Sequence, residues 1–316
     1  MKPNTRPIPL FDQMSSLDNR QMPGNEQYIR NKAHQQDFSV AIDFLKQYTG
    51  SEATFRAYRR EIERLLQWSW LIAERSIKEL TRSDIEKYLA FCQKPKKSWI
   101  GTKTVSRFIT DKDDNRIPNP AWRLFVARVS KADFKYGIKA NVQHYHLSEK
   151  SLREIFTVTS SFYTHLVNEN IVDKNPVMLI RQKNKYFSKR QGGTKIMRLS
   201  QQQWLHCIKV AEQLAKKTPE RHERTLFIMT ILYQLYLRIS ELSVRGDWTP
   251  RMGNFYKDSQ GHWWFTTVGK GNKERSITVS DEMLAALRRY RAHLGLTALP
   301  LINEKTPLIC KSHDLI

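Results

Sequence analysis

Cysteine is scarce in this sequence of 316 residues. The three cysteines, Cys92, Cys207 and Cys310, lie far apart and have no metal-ligand spacing. This pattern excludes a disulfide framework and a cysteine-based zinc site, and it favours a reducing compartment. Long apolar runs and a signal peptide are also missing, so we expect a cytoplasmic protein with no membrane partner.

Acidic residues are few as well. The sequence holds 31 Asp and Glu against 53 Lys and Arg, which gives a formal net charge of +22. Such an excess predicts a polyanionic partner, of which nucleic acid is the commonest, although a ribosomal or membrane-surface protein could share it. Gly and Pro number 12 each, too few for a fibrous chain, and 40% hydrophobic residues suffice for two domains.

Four segments follow from the pattern along the chain. Residues 1–34 contain four prolines and little periodicity, which predicts a flexible N-terminal arm. Residues 35–180 form a predicted helical domain with an insertion near 94–148. A basic linker is predicted over 181–198 and a second domain over 199–316.

Helical periodicity dominates both predicted domains. Apolar residues return every three or four positions, and the helices predicted from this spacing lie near 35–45, 54–70, 83–91, 148–168, 199–214, 223–244 and 281–294. Strands at 262–268 and 274–279 flank a turn signal, Gly269–Lys273, and predict a hairpin. The fold class should therefore be mainly α with a small β-sheet or hairpin. The apolar helix at 223–244 should be largely buried, and Arg238 lies inside it.

Basic residues suggest where a polyanion would bind. The linker holds seven basic residues and no acid, so it predicts contact with a phosphate backbone, with a solvated tether as the alternative. The candidate DNA-binding residues here are Arg181, Lys183, Lys185, Lys189 and Arg190. On the predicted helix 54–70, Arg59 and Arg60 fit phosphate contact and a solvated helix face equally well. His144 and His146 form a His-x-His pair, which we interpret as an exposed loop rather than a metal site.

Two motifs of the second domain occur in a distinctive order. The first is Arg238-Ile239-Ser240-Glu241-Leu242, and about thirty residues later comes Val268-Gly269-Lys270-Gly271-Asn272-Lys273-Glu274-Arg275. Together they resemble the arginine box and the lysine hairpin of the tyrosine recombinases, the phage integrase family. The resemblance extends back over the predicted helical domain, which is similar to the core-binding domain of that family. Tyr236 departs from it, because many members have Gly there.

The resemblance implies chemistry on a phosphodiester. Arg238 would grip the non-bridging oxygens, and Lys270 would act as general acid toward the leaving 5′ oxygen. Glu241 would support the site, and Lys273 and Arg275 would contact DNA. Double-stranded DNA and other recombinase subunits are the implied partners, with a nucleoid location; no metal, cofactor or small-molecule substrate is implied. The alternatives are a structural Arg238–Glu241 ion pair and a solvated Lys270.

The family pattern is incomplete after the hairpin. Members carry a His-x-x-Arg motif, a further His or Trp and a nucleophilic tyrosine, whereas only 41 residues follow Arg275 here. Their one tyrosine, Tyr290, lies in the wrong helix, and Ser312–Ile316 only echoes the start of the His-x-x-Arg motif. We therefore expect a truncated recombinase that binds DNA without cutting it and that exposes apolar faces.

Two other functions fit the same sequence. One is an accessory DNA-binding protein that competes with a recombinase for its sites, and the other is a basic, helical RNA-binding protein. The order of the two motifs favours the recombinase of a mobile element over the RNA-binding protein, since we find no aromatic motif for RNA stacking.

Overall fold

The computed structural model describes residues 6–17, 29, 31–181, 198–246, 248–269 and 271–310, and for Arg181 only the backbone. The chain divides into two compact units, 1–192 and 193–316. Most of the predicted basic linker lies outside the described residues, and with it Lys183, Lys185, Lys189 and Arg190.

The first unit is built from helices around one core. Its helices are α1 (Lys32–Lys46), α2 (Glu52–Trp68), α3 (Arg82–Gln93), α4 (Lys131–Lys135), α5 (Glu149–Asn168) and α6 (Met178–Arg181). α2 forms because Ser51 caps it and because apolar side chains return to one face, where Phe55, Ile62 and Leu65 are fully buried. α5 begins after the cap Ser148 and packs against α2.

The predicted insertion near 94–148 is an ordered part of this unit. It contains the parallel pair β1 (Ile100–Gly101) and β4 (Phe125–Val126) and the antiparallel pair β2 (Phe108–Thr110) and β3 (Arg116–Pro118). Trp99 and Phe125 fill the core beside α2 and α3. The insertion therefore adds to the hydrophobic core rather than projecting from it, apart from α4 and its flanks.

The prediction of a flexible N-terminal arm is wrong for residues 6–17. Leu10 and Phe11 are fully buried, and Phe11 stacks on Phe38 of α1. α2 holds their backbone through two polar side chains. Gln67 donates to the carbonyl of Ile8 at 2.7 Å and accepts from its N–H at 2.9 Å, while Glu63 accepts from the N–H groups of Leu10 and Phe11. Over residues 8–11, side chains of α2 rather than a helix or sheet satisfy the backbone, so this stretch has no periodic pattern. A short 3₁₀ helix follows at Met14–Ser16.

In its described residues, the second unit combines three helices with one antiparallel sheet. The helices are α7 (Gln201–Lys217), α8 (Pro219–Gln234) and α9 (Asp281–His293); the strands are β5 (Phe255–Lys257), β6 (Trp263–Val268) and β7 (Glu274–Thr278), in the order β5-β6-β7. Phe227, Phe265 and Leu287 are among the core residues between helices and sheet. The predicted hairpin is confirmed as β6–β7, and the fold class, mainly α with a small β-sheet, is also confirmed.

The predicted helix 223–244 is too long by about ten residues. α8 ends at Gln234, Tyr236 takes a left-handed conformation with φ of +50°, and a 3₁₀ turn covers Ile239–Glu241. Tyr236 and Ile239 are 82% and 76% exposed, so this stretch is not the buried helix that its composition predicted. Apolar residues continue past the helix end, and no Gly or Pro marks it.

The structure also bears on the expectations about membrane spans, cysteines and exposed apolar side chains. No helix among the described residues is long and apolar enough to cross a bilayer. The three cysteines are free thiols, with Cys92 and Cys310 buried. The second unit exposes some apolar side chains, among them Leu205 and Leu214 on α7, while the expectation that a truncation exposes apolar faces stays a prediction.

The packing of residues 6–17 predicts a stability effect. Phe11→Ala should lower the free energy of unfolding by about 3–5 kcal/mol, because it removes a fully buried ring and leaves a cavity. Chemical denaturation of the full chain measures this. The matched control is Gln13→Ala in the same segment, where the exposed side chain should change stability by less than about 0.5 kcal/mol. Equal stabilities of the two variants would contradict this packing and would support the prediction of a flexible N-terminal arm.

Candidate functional site

Arg238 occupies an extended backbone position between α8 and the 3₁₀ turn. Its N–H donates to Oε2 of Glu241 at 2.8 Å, and its guanidinium Nη1 donates to Oε1 at 3.2 Å. The side chain is 63% exposed. The expectation of a buried guanidinium is therefore wrong, because the helix ends before Arg238. The ion pair with Glu241 that we kept as the alternative role is present.

Glu241 is the centre of this cluster. Its carboxylate is fully buried, and it also accepts from Nη2 of Arg275 on β7 at 3.0 Å. Its carbonyl accepts from the indole N–H of Trp248 at 3.0 Å. A buried carboxylate is costly unless it is paired and hydrogen-bonded, and here two arginines and a backbone N–H meet it. Arg238 and Arg275 are far apart in sequence, and Glu241 holds them side by side.

The hairpin turn lies directly against this cluster. A Cβ atom added at Gly269 would stand 3.2 Å from Oε1 of Glu241 and 3.7 Å from Nη1 of Arg238, so a side chain has little room there. The N–H of Gly269 donates to the carbonyl of Lys273 at 2.8 Å and closes the turn. Gly269 thus fixes the base of the hairpin beside the arginines.

Lys270, the predicted general acid, lies outside the described residues. Its neighbours Gly269 and Gly271 are described, and Gly271 has a φ of +76° that suits the turn. Lys273 follows in the turn and is exposed. The turn that carries Lys270 in sequence therefore starts from the Glu241 cluster, while the position of its side chain stays a prediction.

Arg245 is a residue that sequence reasoning missed. Its guanidinium donates to the carbonyls of Val268 and Gly269, in the latter case at 3.1 Å, and so ties the segment after Glu241 to the hairpin. Its Nε is buried and has no hydrogen-bond partner in the described part of the chain. The sequence offers little signal for it, since it lies outside both motifs and directly after the helix predicted over 223–244.

The cluster has an excess of positive charge. Two guanidinium groups share one carboxylate, and Arg238 and Arg275 keep 63% and 41% of their side chains exposed. Each guanidinium has five N–H donors, of which Glu241 takes few. Planar donor pairs of this kind match the oxygens of a phosphate or carboxylate. The arrangement can thus bind an anion while Glu241 fixes its geometry.

The two candidates on α2 are engaged within the protein. Arg59 donates to the carbonyl of Asp12, and burial together with the nearby Arg107 lowers its pKa to about 10. Arg60 pairs with Glu61 at 2.6 Å and Glu154 at 3.5 Å. Both contacts compete with the predicted phosphate contact. Of Arg181 on α6, only the backbone is described.

Tyr290 and the histidine pair, which the sequence does not favour as site residues, are also described. The Tyr290 hydroxyl is buried, donates to the carbonyl of Cys310 at 2.8 Å and accepts from its N–H at 3.2 Å. Burial raises the pKa of Tyr290, which disfavours a nucleophilic phenolate. His144 is exposed and its Nδ1 accepts from the N–H of Asn141 at 3.2 Å, and no metal-binding group of three side chains occurs among the described residues.

Comparisons with known proteins give a likeness only at the level of structure. No family model and no curated protein matches the chain. A λ integrase dimer bound to a COC′ core site matches with 13% identity and a TM-score of 0.45, over 87% of this chain and 59% of that one. XerH site-specific recombinase bound to palindromic difH substrate in a post-cleavage complex matches with 13% identity and a TM-score of 0.46, over 97% and 76% of the two chains. XerH bound to difH substrate in a pre-cleavage complex matches with 11% identity and a TM-score of 0.42, over 97% of this chain and 77% of that one. The chain thus spans about three fifths of the λ integrase chain.

The shared carboxylate predicts a stability effect. Glu241→Ala should lower the free energy of unfolding by about 2–3 kcal/mol, because it removes the acceptor of three hydrogen bonds, two of them from charged groups. Denaturation of the full chain provides the measurement. Glu274→Ala on the same hairpin is the control. Because the Glu274 side chain is exposed, this substitution should change the free energy of unfolding by less than about 0.5 kcal/mol. An equally small loss for Glu241→Ala would contradict a central role for the carboxylate.

Proposed function

We propose that this chain binds double-stranded DNA as a protein of the tyrosine recombinase type. The observation that carries the proposal is the Glu241 cluster, in which two partly exposed arginines from the two separate motifs meet at one carboxylate beside the hairpin turn. Two arginines with free donors fit an anion with several oxygens, such as a phosphodiester.

The roles of the residues follow from their chemistry. Arg238 and Arg275 would hold the non-bridging oxygens of one phosphate, on which negative charge builds during strand transfer. Glu241 would position both guanidiniums without touching the DNA. Lys270 would lie on the hairpin turn next to this phosphate. When a nucleophile attacks the phosphorus and the bond to the 5′ oxygen breaks, Lys270 would give its proton to that oxygen as general acid. No metal or cofactor has a part in this proposal, since the arginines supply the positive charge.

Basic residues outside the Glu241 cluster would add affinity for the phosphate backbone of the duplex. The net charge of +22 and the basic residues between 181 and 198 suit contacts with the phosphate backbone, which carry affinity but no sequence information. Other recombinase subunits on the same DNA belong to the proposal as partners.

We further propose that residues 1–316 bind DNA without forming a covalent 3′-phosphotyrosine link. Tyr290 is the only tyrosine after the hairpin, and its hydroxyl is buried against Cys310. A protein that occupies a recombination site without cutting it would act as an accessory or competing DNA-binding protein. This role is our second candidate, and the buried Tyr290 favours it.

Salt dependence of binding tests the first proposal. Affinity for a mixed-sequence duplex should fall steeply with salt. Arg238→Ala/Arg275→Ala should reduce the slope of log K against log salt by about 0.9, because the two arginines contact one phosphate and about 0.9 is lost with each phosphate contact. The control is Arg221→Ala/Arg288→Ala, which removes the same charge from exposed positions on α8 and α9. Equal slopes for the two variants would contradict the proposed phosphate site.

Two additions to this experiment separate the alternatives. A double-stranded RNA of the same sequence should bind more weakly than the DNA, and tighter binding of the RNA would favour the basic RNA-binding protein. A suicide duplex incubated with the chain should give no covalent protein–DNA band. If such a band appears, the non-cutting role is wrong, although DNA binding through the cluster stands.

A further inference from the structure

The segment Ser130–Lys139, which we call the knob, exposes its apolar side chains. All residues from 131 to 139 are exposed, and Phe134, Tyr136 and Ile138 are 72%, 85% and 45% exposed. Rings of this size contribute most to stability when they are buried, and Trp99, Phe108, Trp122 and Phe125 of the insertion are buried. Two exposed rings within three residues indicate a contact surface for another molecule.

The knob has a fixed conformation. Ser130 caps α4 by accepting from the N–H of Asp133 at 3.1 Å and donating to its carboxylate at 2.7 Å. The other end closes with N–H groups of Ile138 and Gly137, which donate to the carbonyls of Asp133 and Phe134 at 3.0 and 3.1 Å. Gly137 has a φ of +80°, which this type of helix stop requires. The rings are therefore presented on a preformed support, which lowers the entropic cost of binding.

Positive charges alternate with the rings. Lys131, Lys135 and Lys139 recur every four residues, and no ion pair of theirs occurs in the described ranges of the chain. Asp133 is the one acid between 128 and 139, and Ser130 already binds its carboxylate. The surface thus combines ammonium groups for an anion with flat apolar rings.

We propose that the knob contacts duplex DNA, with the three lysines on phosphates and with Phe134 and Tyr136 against the bases of a partly unstacked step. The proposal rests on the DNA binding proposed above. Apolar side chains inserted between base steps need only one or two rings, and lysines beside them meet the phosphates that flank the step. An anionic membrane surface shares the charge complementarity, but an interfacial anchor needs a wider apolar face than three side chains.

Fluorescence of 2-aminopurine tests the contact of the rings. The probe is a mixed-sequence duplex with 2-aminopurine next to a TA step, which unstacks easily. The full chain should raise the fluorescence of the probe. Phe134→Ala/Tyr136→Ala should abolish this rise and weaken binding about tenfold, since stacking on bases is lost. Phe134→Tyr/Tyr136→Phe keeps both rings and should retain the rise.

The lysines have a separate readout. Lys131→Gln/Lys135→Gln/Lys139→Gln should reduce the slope of log K against log salt by about 2 to 3, whereas the Lys→Arg substitutions at the same positions should preserve it. All of these side chains are exposed, so the melting temperatures should stay at the value of the unsubstituted chain. This check separates loss of binding from loss of folding.

The outcomes distinguish this proposal from the proposed function. If the unsubstituted chain binds the duplex and Phe134→Ala/Tyr136→Ala binds it equally well with the same fluorescence, the knob proposal is overturned and DNA binding stands. If the unsubstituted chain fails to bind any duplex, both are overturned. If the alanine variant keeps its DNA affinity but no longer binds phosphatidylserine vesicles that the unsubstituted chain binds, the knob is a membrane contact and our assignment is wrong.

Discussion

The buried carboxylate of Glu241 is the interaction on which the candidate site depends. A carboxylate removed from water needs donors, and this one draws the guanidinium groups of Arg238 and Arg275 toward itself from the turn after α8 and from β7. Gly269 is small enough for the hairpin to lie against the same oxygens. One carboxylate therefore joins the two motifs that are about thirty residues apart. The arginines keep their outer donors exposed, which is the arrangement that a phosphate would use.

The same physics organises the first unit. Glu63 is fully buried and binds the N–H groups of Leu10 and Phe11 as well as Arg107 of the insertion. Asp37 on α1 is also fully buried and accepts from the Trp70 indole at 2.9 Å, the Ser76 hydroxyl at 2.6 Å and the Ile77 N–H at 3.1 Å. Each buried carboxylate ties an irregular segment to a helix, because it satisfies backbone and side-chain donors that a helix or sheet would otherwise satisfy. The knob differs from these segments, because a local cap rather than a buried carboxylate holds it and because its rings are exposed to solvent.

Periodicity predicted much of the fold and less of the site. α1, α5, α7, α9 and the β6–β7 hairpin follow from apolar spacing, caps and turn residues, and all of them are confirmed. Arg238 was misplaced because apolar residues continue after Gln234, so that composition alone could not show the left-handed stop at Tyr236. Residues 8–11 carry no periodic signal, since side chains of α2 make the hydrogen bonds of their backbone. Arg59 and Arg60 look like phosphate ligands in sequence, but long-range partners, Asp12 and Glu154, occupy them in the structure.

Binding of a mixed-sequence duplex by Glu241→Gln tests most directly whether Glu241 positions the two arginines for a phosphate. Removal of a negative charge would by itself strengthen binding to a polyanion. If Glu241 acts by positioning, Glu241→Gln should instead bind the duplex several-fold more weakly than the unsubstituted chain. In the Arg238→Ala background, the same substitution should reduce the affinity for the duplex far less. Tighter or unchanged binding of Glu241→Gln, or effects of the two substitutions that simply multiply, would contradict the account.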